Sequence, residues 1–161
     1  MSDFRPQQQP PKPLGRVMAV SVSVRKGEKK TNIACGHLVR NFGLEGDAHG
    51  GDWHRQISLL AQESIEKIRA KGLDVAPGDF AENITTSGFA PEALPIGTRL
   101  RLGAEALVEI TQIGKVCHHR CAIFHQVGDC VMPREGVFAR IVKGGPVRPG
   151  DAITSADGSP E

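Results

Sequence analysis

The chain has 161 residues and 39% hydrophobic content, enough for one domain with its own core. A formal net charge of +2, with the basic residues dispersed, argues against nucleic acid or an anionic membrane surface as a partner. No apolar run approaches the ~20 residues that span a bilayer, and the N-terminus lacks the apolar centre of a secretory signal.

Residues 1–14 are rich in Pro and Gln and read as a disordered tail. A single domain is expected over residues 15–155, with a short tail at 156–161. Residues 16–24 alternate valine with small residues, a strand pattern. Arg25, Lys26, Lys29 and Lys30 around Gly27 read as a solvated turn. Cys35 and His37 fall in a strand or loop ending at Asn41, with no further ligand beside them. Residues 43–55 (GLEGDAHGGDWHR) then hold four glycines within nine positions, which permits positive φ and close approach to a ligand. Asp47, His49, Asp52, His54, Arg55 and the only tryptophan share this stretch. Asp-Gly pairs often only turn a chain, but this concentration of polar groups makes the loop a candidate pocket wall.

Residues 57–60 read as a buried strand and 61–71 as an amphipathic helix. Leu60, Ile65 and Ile68 turn toward the core, and Gly72 ends the helix. Glu63 and Lys67 are placed for an exposed pair four residues apart. A strand is expected over 80–86, with Glu82 and Asn83 facing either a ligand or solvent. Residues 94–102 and 105–113 suggest two strands around Gly103, the second alternating as a half-buried wall does. Residues 133–142 read as a helix opened by proline and stopped by Gly144 and Gly145, and 146–153 as a last strand. Many short strands with few helices predict a mainly β fold, a closed or nearly closed barrel.

The chemistry concentrates in Cys117-His118-His119-Arg120-Cys121, continuing through His125 to Cys130. Three of the four cysteines and three of the six histidines lie within these fourteen residues. Such crowding suits chemistry or metal better than a distributed disulfide framework, and fits a reducing cytoplasm. Lys115 and Arg120 favour the thiolate at a neighbouring cysteine. A reactive or cofactor-binding thiolate is one reading. A zinc-stapled module with Cys117, Cys121, His125 and Cys130 as ligands is a second, and a thiol-disulfide pair, Cys117 with Cys121, a third. Against zinc, the Cys-x-x-Cys spacing is missing, and a chain of this size needs no metal to fold. His49, His54, His118 and His119 are candidates for proton transfer near neutral pH.

The order Gly-Leu-Glu-Gly-Asp-Ala-His, His-Arg-Gln, Pro-Gly-Asp-Phe-Ala-Glu-Asn-Ile, Leu-Pro-Ile-Gly-Thr, then a Cys-rich segment after Thr-Gln, resembles the MOSC domain over residues 16–154. MOSC is the C-terminal domain of molybdenum cofactor sulfurases and also occurs as small stand-alone bacterial proteins. The resemblance implies a MOSC-type β-barrel with a few short helices. It also implies binding of the molybdenum cofactor (molybdopterin), and a cysteine that carries a persulfide or ligates molybdenum. Activity would then be sulfur transfer, or molybdenum cofactor-dependent reduction of small N-hydroxylated compounds. A cysteine desulfurase or the cofactor's biosynthetic and acceptor proteins are the implied partners. The pyridoxal phosphate desulfurase of the fused sulfurases has no counterpart here, so pyridoxal phosphate is not carried over.

For the thiolate, Cys117 matches a cysteine placed soon after a strand ending in glutamine (Gln112), and Cys121 matches one following arginine (Arg120). Their Cys-x-x-x-Cys spacing is one residue longer than the family's Cys-x-Arg-Cys, so the assignment stays with the pair. The candidate cofactor contacts are Asp47, His49, His54, Arg55, Asn83, Lys115 and Arg120. Arginine and lysine would supply charge to a phosphate-bearing pterin, and the glycine loop its amides.

Overall fold

Buried and exposed positions alternate at the start of β1 (Gly15–Val22), which opens the fold. The computed structural model describes residues 12–26, 28–114 and 131–156. After β1 come β2 (Thr31–Ile33), β3 (Gly36–Val39), β4 (Gly43–Leu44) and β5 (Ile57–Ala61). Helix α1 (Gln62–Arg69), β6 (Ile84–Ser87), a 3-10 turn (Pro91–Ala93), β7 (Arg99–Leu102) and β8 (Ala106–Ile113) follow. The chain continues with α2 (Met132–Glu135), β9 (Val137–Lys143), β10 (Gly145–Val147) and β11 (Ala152–Ser155).

Seven strands close into a barrel in the order β11-β7-β8-β9-β5-β6-β1, with β1 pairing back onto β11. Closure satisfies the edges that an open sheet would expose. The register of β1 on β6 shifts between Val17 and Ala19, and its far end carries β2. Such a bulge bends a strand and increases its twist. β10, β3 and β4 form a separate three-stranded sheet. β5 and β6 run parallel, which requires a crossover, and α1 lies in that connection.

The barrel interior is filled by Val17, Ile57, Leu59, Ile84, Val108, Ile110, Val137 and Ile141, among others. A second cluster joins Leu60, Ile65 and Ile68 to Val75, Phe80, Met132 and Phe138. Alternation along β5 and β9 thus sends Leu59 and Val137 inward but Leu60 and Phe138 to the face under α1.

Several expectations need correction. Residues 133–142 are not one helix. Only Met132–Glu135 is helical; Gly136 is extended, and the β-branched run after it forms β9. The strand expected over 80–86 begins at Ile84, because Ala81 has a positive φ of 63° and the chain still turns there. The 94–102 strand shortens to Arg99–Leu102, and 146–153 divides between β10 and β11.

Lys67 does not pair with Glu63. It binds Glu135 Oε1 at 2.7 Å, while Glu63 accepts from the Gly88 amide at 2.9 Å. Nor is Lys30 part of a solvated turn: it is 5% exposed, and its ammonium is sealed against Asp47.

Candidate functional site

The glycine loop, residues 43–55, is held from within. Asp47 Oδ1 accepts from Lys30 Nζ at 2.8 Å and from the Ser23 amide at 3.0 Å, and Oδ2 accepts from the His49 amide at 3.1 Å. Burial by itself would raise the Asp47 pKa. Hydrogen bonds from His49, Lys30 and Ser23 outweigh that and hold the carboxyl well below the ordinary carboxylate range. Gly43, at φ +134°, lies so close to β5 that a Cβ there would sit 2.5 Å from Gln56 O. Only glycine permits that approach. Gln56 secures the far end, accepting from the Ile141 amide at 2.8 Å and donating to Asn41 Oδ1 at 3.1 Å.

The end of the loop lies against β8 and β9. Thr111 Oγ1 donates to His54 O and, at 3.2 Å, faces Phe138 O. The β8–β9 register shifts between Ile110 and Gln112, so Thr111 is the extra residue of a bulge. Bulges beside sites re-aim side chains. Gln112 Nε2 donates to Gly114 O at 2.8 Å, which leaves Gln112 Oε1 to accept from His54 Nε2 at 2.9 Å. With Gln112 Oε1 as acceptor, the His54 ring hydrogen sits on Nε2, which leaves Nδ1 as the ring's acceptor.

Arg55 is half-buried between two rings. Its guanidinium carbon lies 5.0 Å from the Trp53 centroid and 5.2 Å from that of Phe138. Lys26 Nζ approaches the same indole at 5.4 Å. Arg55 Nε is buried and has no hydrogen-bond partner among the described residues. Cation–π contact offsets part of the cost of burying the guanidinium, but the orphaned N–H calls for an acceptor.

Asn83 is 1% exposed, and its amide is spent on backbone: Oδ1 accepts from the Ser58 amide at 3.0 Å and Nδ2 donates to Ser21 O at 3.2 Å. Glu82, 0% exposed, accepts from the Gly78 amide at 3.0 Å and from Thr85 Oγ1 at 2.9 Å. Neither carries its side chain on the solvent face of a sheet. Burial, the dominant influence, raises the Glu82 pKa despite these donors.

Lys115, Cys117, His118, His119, Arg120, Cys121, His125 and Cys130 lie outside the described residues. The residues on either side of them are placed. The Gly114 amide donates to Gly136 O at 2.6 Å, and a Cβ on Gly114 would lie 2.4 Å from Pro133 O. Val131 packs in the cluster with Phe138. Both ends of the cysteine-bearing stretch are thus attached to the wall that carries His54 and Arg55. Among the described residues, no group of three or more His, Cys, Asp or Glu is placed to hold a metal.

The structure brings His49, His54 and Arg55 against Trp53, with Asp47 bound to the His49 amide, and sets Asn83 apart as a brace between strands. Lys30, Thr111 and Phe138 complete the site and went unread in the sequence, since nothing local to any of them points to the loop.

Barrel and loop together define a small closed β-barrel protein with a polar, glycine-rich loop on its wall, in which Arg55 lies against Trp53. A family profile, the MOSC domain, matches residues 45–154, and the chain belongs to the MOSC domain family. Among solved structures, YuaD from Bacillus subtilis superposes with a TM-score of 0.72 at 17% identity, covering 86% of this chain and 93% of that one. YiiM from Escherichia coli gives 0.62 at 19% identity, over 91% and 72% of the two chains. YiiM from Geobacillus stearothermophilus gives 0.61 at 20% identity, over 93% and 78%. These likenesses concern the fold. No curated protein sequence matches significantly. Among the described residues no helix is long and apolar enough to cross a membrane.

Proposed function

We propose that this chain binds the molybdenum cofactor by its anionic groups at the loop of residues 43–55. It would offer Cys117 or Cys121 to the cofactor, either as a persulfide carrier or as a thiolate ligand to molybdenum. The observation that carries the reading is Arg55, stacked between Trp53 and Phe138 with its buried Nε lacking an acceptor among the described residues. A phosphate oxygen would complete that N–H with a charge-assisted bond, so the residues present fit a phosphate-bearing pterin. Membership of the MOSC family supports that choice of cofactor.

When bound, the cofactor supplies a thiol-loving redox metal. The chain's own part is to hold the anion at Arg55 and to keep a thiolate next to Lys115 or Arg120. His54, whose Nε2 is engaged by Gln112, has Nδ1 left to accept a proton. As a sulfur carrier the protein would draw on a cysteine desulfurase; as an oxidoreductase it would take a small N-hydroxylated compound. Both suit free thiols in a reducing cytoplasm.

The test measures pterin and molybdenum retained per chain after loading, for the unaltered protein, Arg55→Gln, Cys117→Ser and Cys121→Ser. Arg55→Gln is expected to lower retention by about tenfold, as loss of a charge-assisted bond does. One serine variant should lose molybdenum or persulfide loading. Undiminished retention in Arg55→Gln, or one equivalent of zinc in place of pterin, would overturn the reading.

A further inference from the structure

Lys30 touches more than Asp47. Its ammonium, with a side chain 0% exposed, has three neighbours: Asp47 Oδ1 at 2.8 Å, Ser23 Oγ at 3.0 Å and His49 Nδ1 at 3.2 Å. An ammonium has three donors and no acceptor. The Ser23 hydroxyl gives its own hydrogen to Arg25 O at 3.0 Å, so toward Lys30 it accepts. The third donor faces His49 Nδ1 at 3.2 Å, whereas Asp47 Oδ2 lies farther from that nitrogen, at 3.7 Å; the nearer contact makes Nδ1 an acceptor and places the ring hydrogen on Nε2.

We infer that Lys30 is a positioning residue that fixes His49 in its Nε2–H tautomer, making His49 a donor to the anion held beside Arg55. Nε2 lies across the ring from the sealed ammonium. The His49 side chain is 25% exposed where those of Lys30 and Asp47 are 0%, so the imidazole, unlike that pair, reaches the surface. The His49 backbone ties the two parts of the site together. Its amide donates to Asp47 Oδ2 at 3.1 Å, and its carbonyl accepts from Trp53 Nε1 at 2.8 Å. The indole that stacks on Arg55 and the imidazole that faces Lys30 are thus joined through one residue. The donor role rests on the reading of Arg55 as an anion site; the tautomer rests on Lys30 alone.

Two measurements on the full chain separate these. Long-range proton–nitrogen NMR under mildly alkaline conditions should show His49 as a single Nε2–H tautomer. Lys30→Met strands a buried carboxylate, so the paired change Lys30→Met with Asp47→Asn keeps a foldable protein, and there His49 should become a mixture of tautomers. An Nδ1–H tautomer in the unaltered protein, or an unmixed Nε2–H tautomer in the paired variant, overturns the assignment.

Trp53, the only tryptophan, reports binding of inorganic phosphate by its fluorescence. His49→Gln, which keeps a donor near the Nε2 position, should bind within about twofold of the unaltered protein, and His49→Ala about tenfold more weakly. Equal binding by His49→Ala and the unaltered protein overturns the donor role. An unaltered protein that does not respond to phosphate overturns the reading of Arg55 instead, and the NMR result then decides the Lys30–His49 assignment by itself.

Discussion

Lys30 and Asp47, seventeen residues apart, form an ion pair at 2.8 Å with both side chains fully withdrawn from solvent. The pair fastens the β1–β2 connection to the glycine loop, because Asp47 also accepts the Ser23 and His49 amides. Removing one partner leaves a buried charge with no counter-ion. Lys30→Met should therefore cost about 3–5 kcal/mol, roughly a 10 °C fall in Tm for a chain of this size. Replacing both, Lys30→Met with Asp47→Asn, should recover most of the loss. Thermal denaturation of the single and paired variants checks this; a single variant as stable as the unaltered protein would contradict it.

The same pair sets an acid limit. Asp47 titrates lower in the fold than in the unfolded chain. Its contribution is complete above the ordinary carboxylate value of ~4 and is lost as pH falls below it. Asp47→Asn should flatten the stability profile there, as read by urea denaturation across that window.

Glu82 behaves in the opposite sense. Burial holds its pKa up, despite the Gly78 amide and the Thr85 hydroxyl that bond to it. A carboxyl raised in the folded state stabilises below its ordinary value of ~4.3, and the benefit is lost as pH rises through the folded value. Glu82→Gln keeps an acceptor for Gly78 without the charge. Relative to the unaltered protein, the variant should gain stability between mildly acidic and mildly alkaline pH. A parallel pair of urea curves across that range would refute the assignment.

Much of the barrel is legible in the sequence, and the reason is periodicity. Alternating valines mark β1, the largely apolar stretch 57–60 marks a strand buried on both faces, and Leu60, Ile65 and Ile68 place α1 on its cluster. β9 escapes because Pro133 opens a single helical turn, and Gly136 then releases the chain into a β-branched run that helical spacing also accommodates. The glycine loop stands out by local composition. The partners that fix it do not, since they arrive from distant elements. Lys30 is one of four similar basic residues around a turn, and it is Asp47 and His49 of the distant glycine loop that enclose its ammonium. Glu63 and Lys67 suit each other by spacing, yet Glu135, 68 residues from Lys67, takes the lysine. Asn83 is likewise engaged from afar, by Ser58 of β5 and Ser21 of β1.

Arg55 shows how packing changes an expected mutation. An exposed arginine has little to lose on truncation, but this one lies between Trp53 and Phe138. Arg55→Ala should cost about 1–2 kcal/mol through lost stem packing and cation–π contact, besides weakening anion binding. Arg55→Lys keeps the charge but not the planar stack, and should fall between the two. Urea denaturation together with phosphate titration on Trp53 fluorescence measures both effects. Unchanged stability in Arg55→Ala would mean that the stack contributes nothing.

The thiols give the last prediction, and the structure alters its design. Cys35 is exposed, so it cannot serve as the slow reference for alkylation. The comparison belongs in a Cys35→Ser background, with Cys130 as the reference because it has no Lys or Arg adjacent in sequence. Lys115 and Arg120 favour ionisation at Cys117 or Cys121, so one of these should alkylate at neutral pH several-fold faster than Cys130. Its replacement by serine should abolish persulfide loading while leaving the denaturation curve nearly unchanged. A zinc staple made of Cys117, Cys121, His125 and Cys130 requires a different pattern: slow alkylation until a chelator is added, and loss of stability on replacing any one ligand. A reversible Cys117–Cys121 disulfide would block both thiols until a reductant is added. Peptide mapping after alkylation, with and without chelator and reductant, separates the three. If Cys117 and Cys121 react no faster than Cys130 under every condition, the cluster holds no activated thiolate, and the sulfur-carrier reading fails with it.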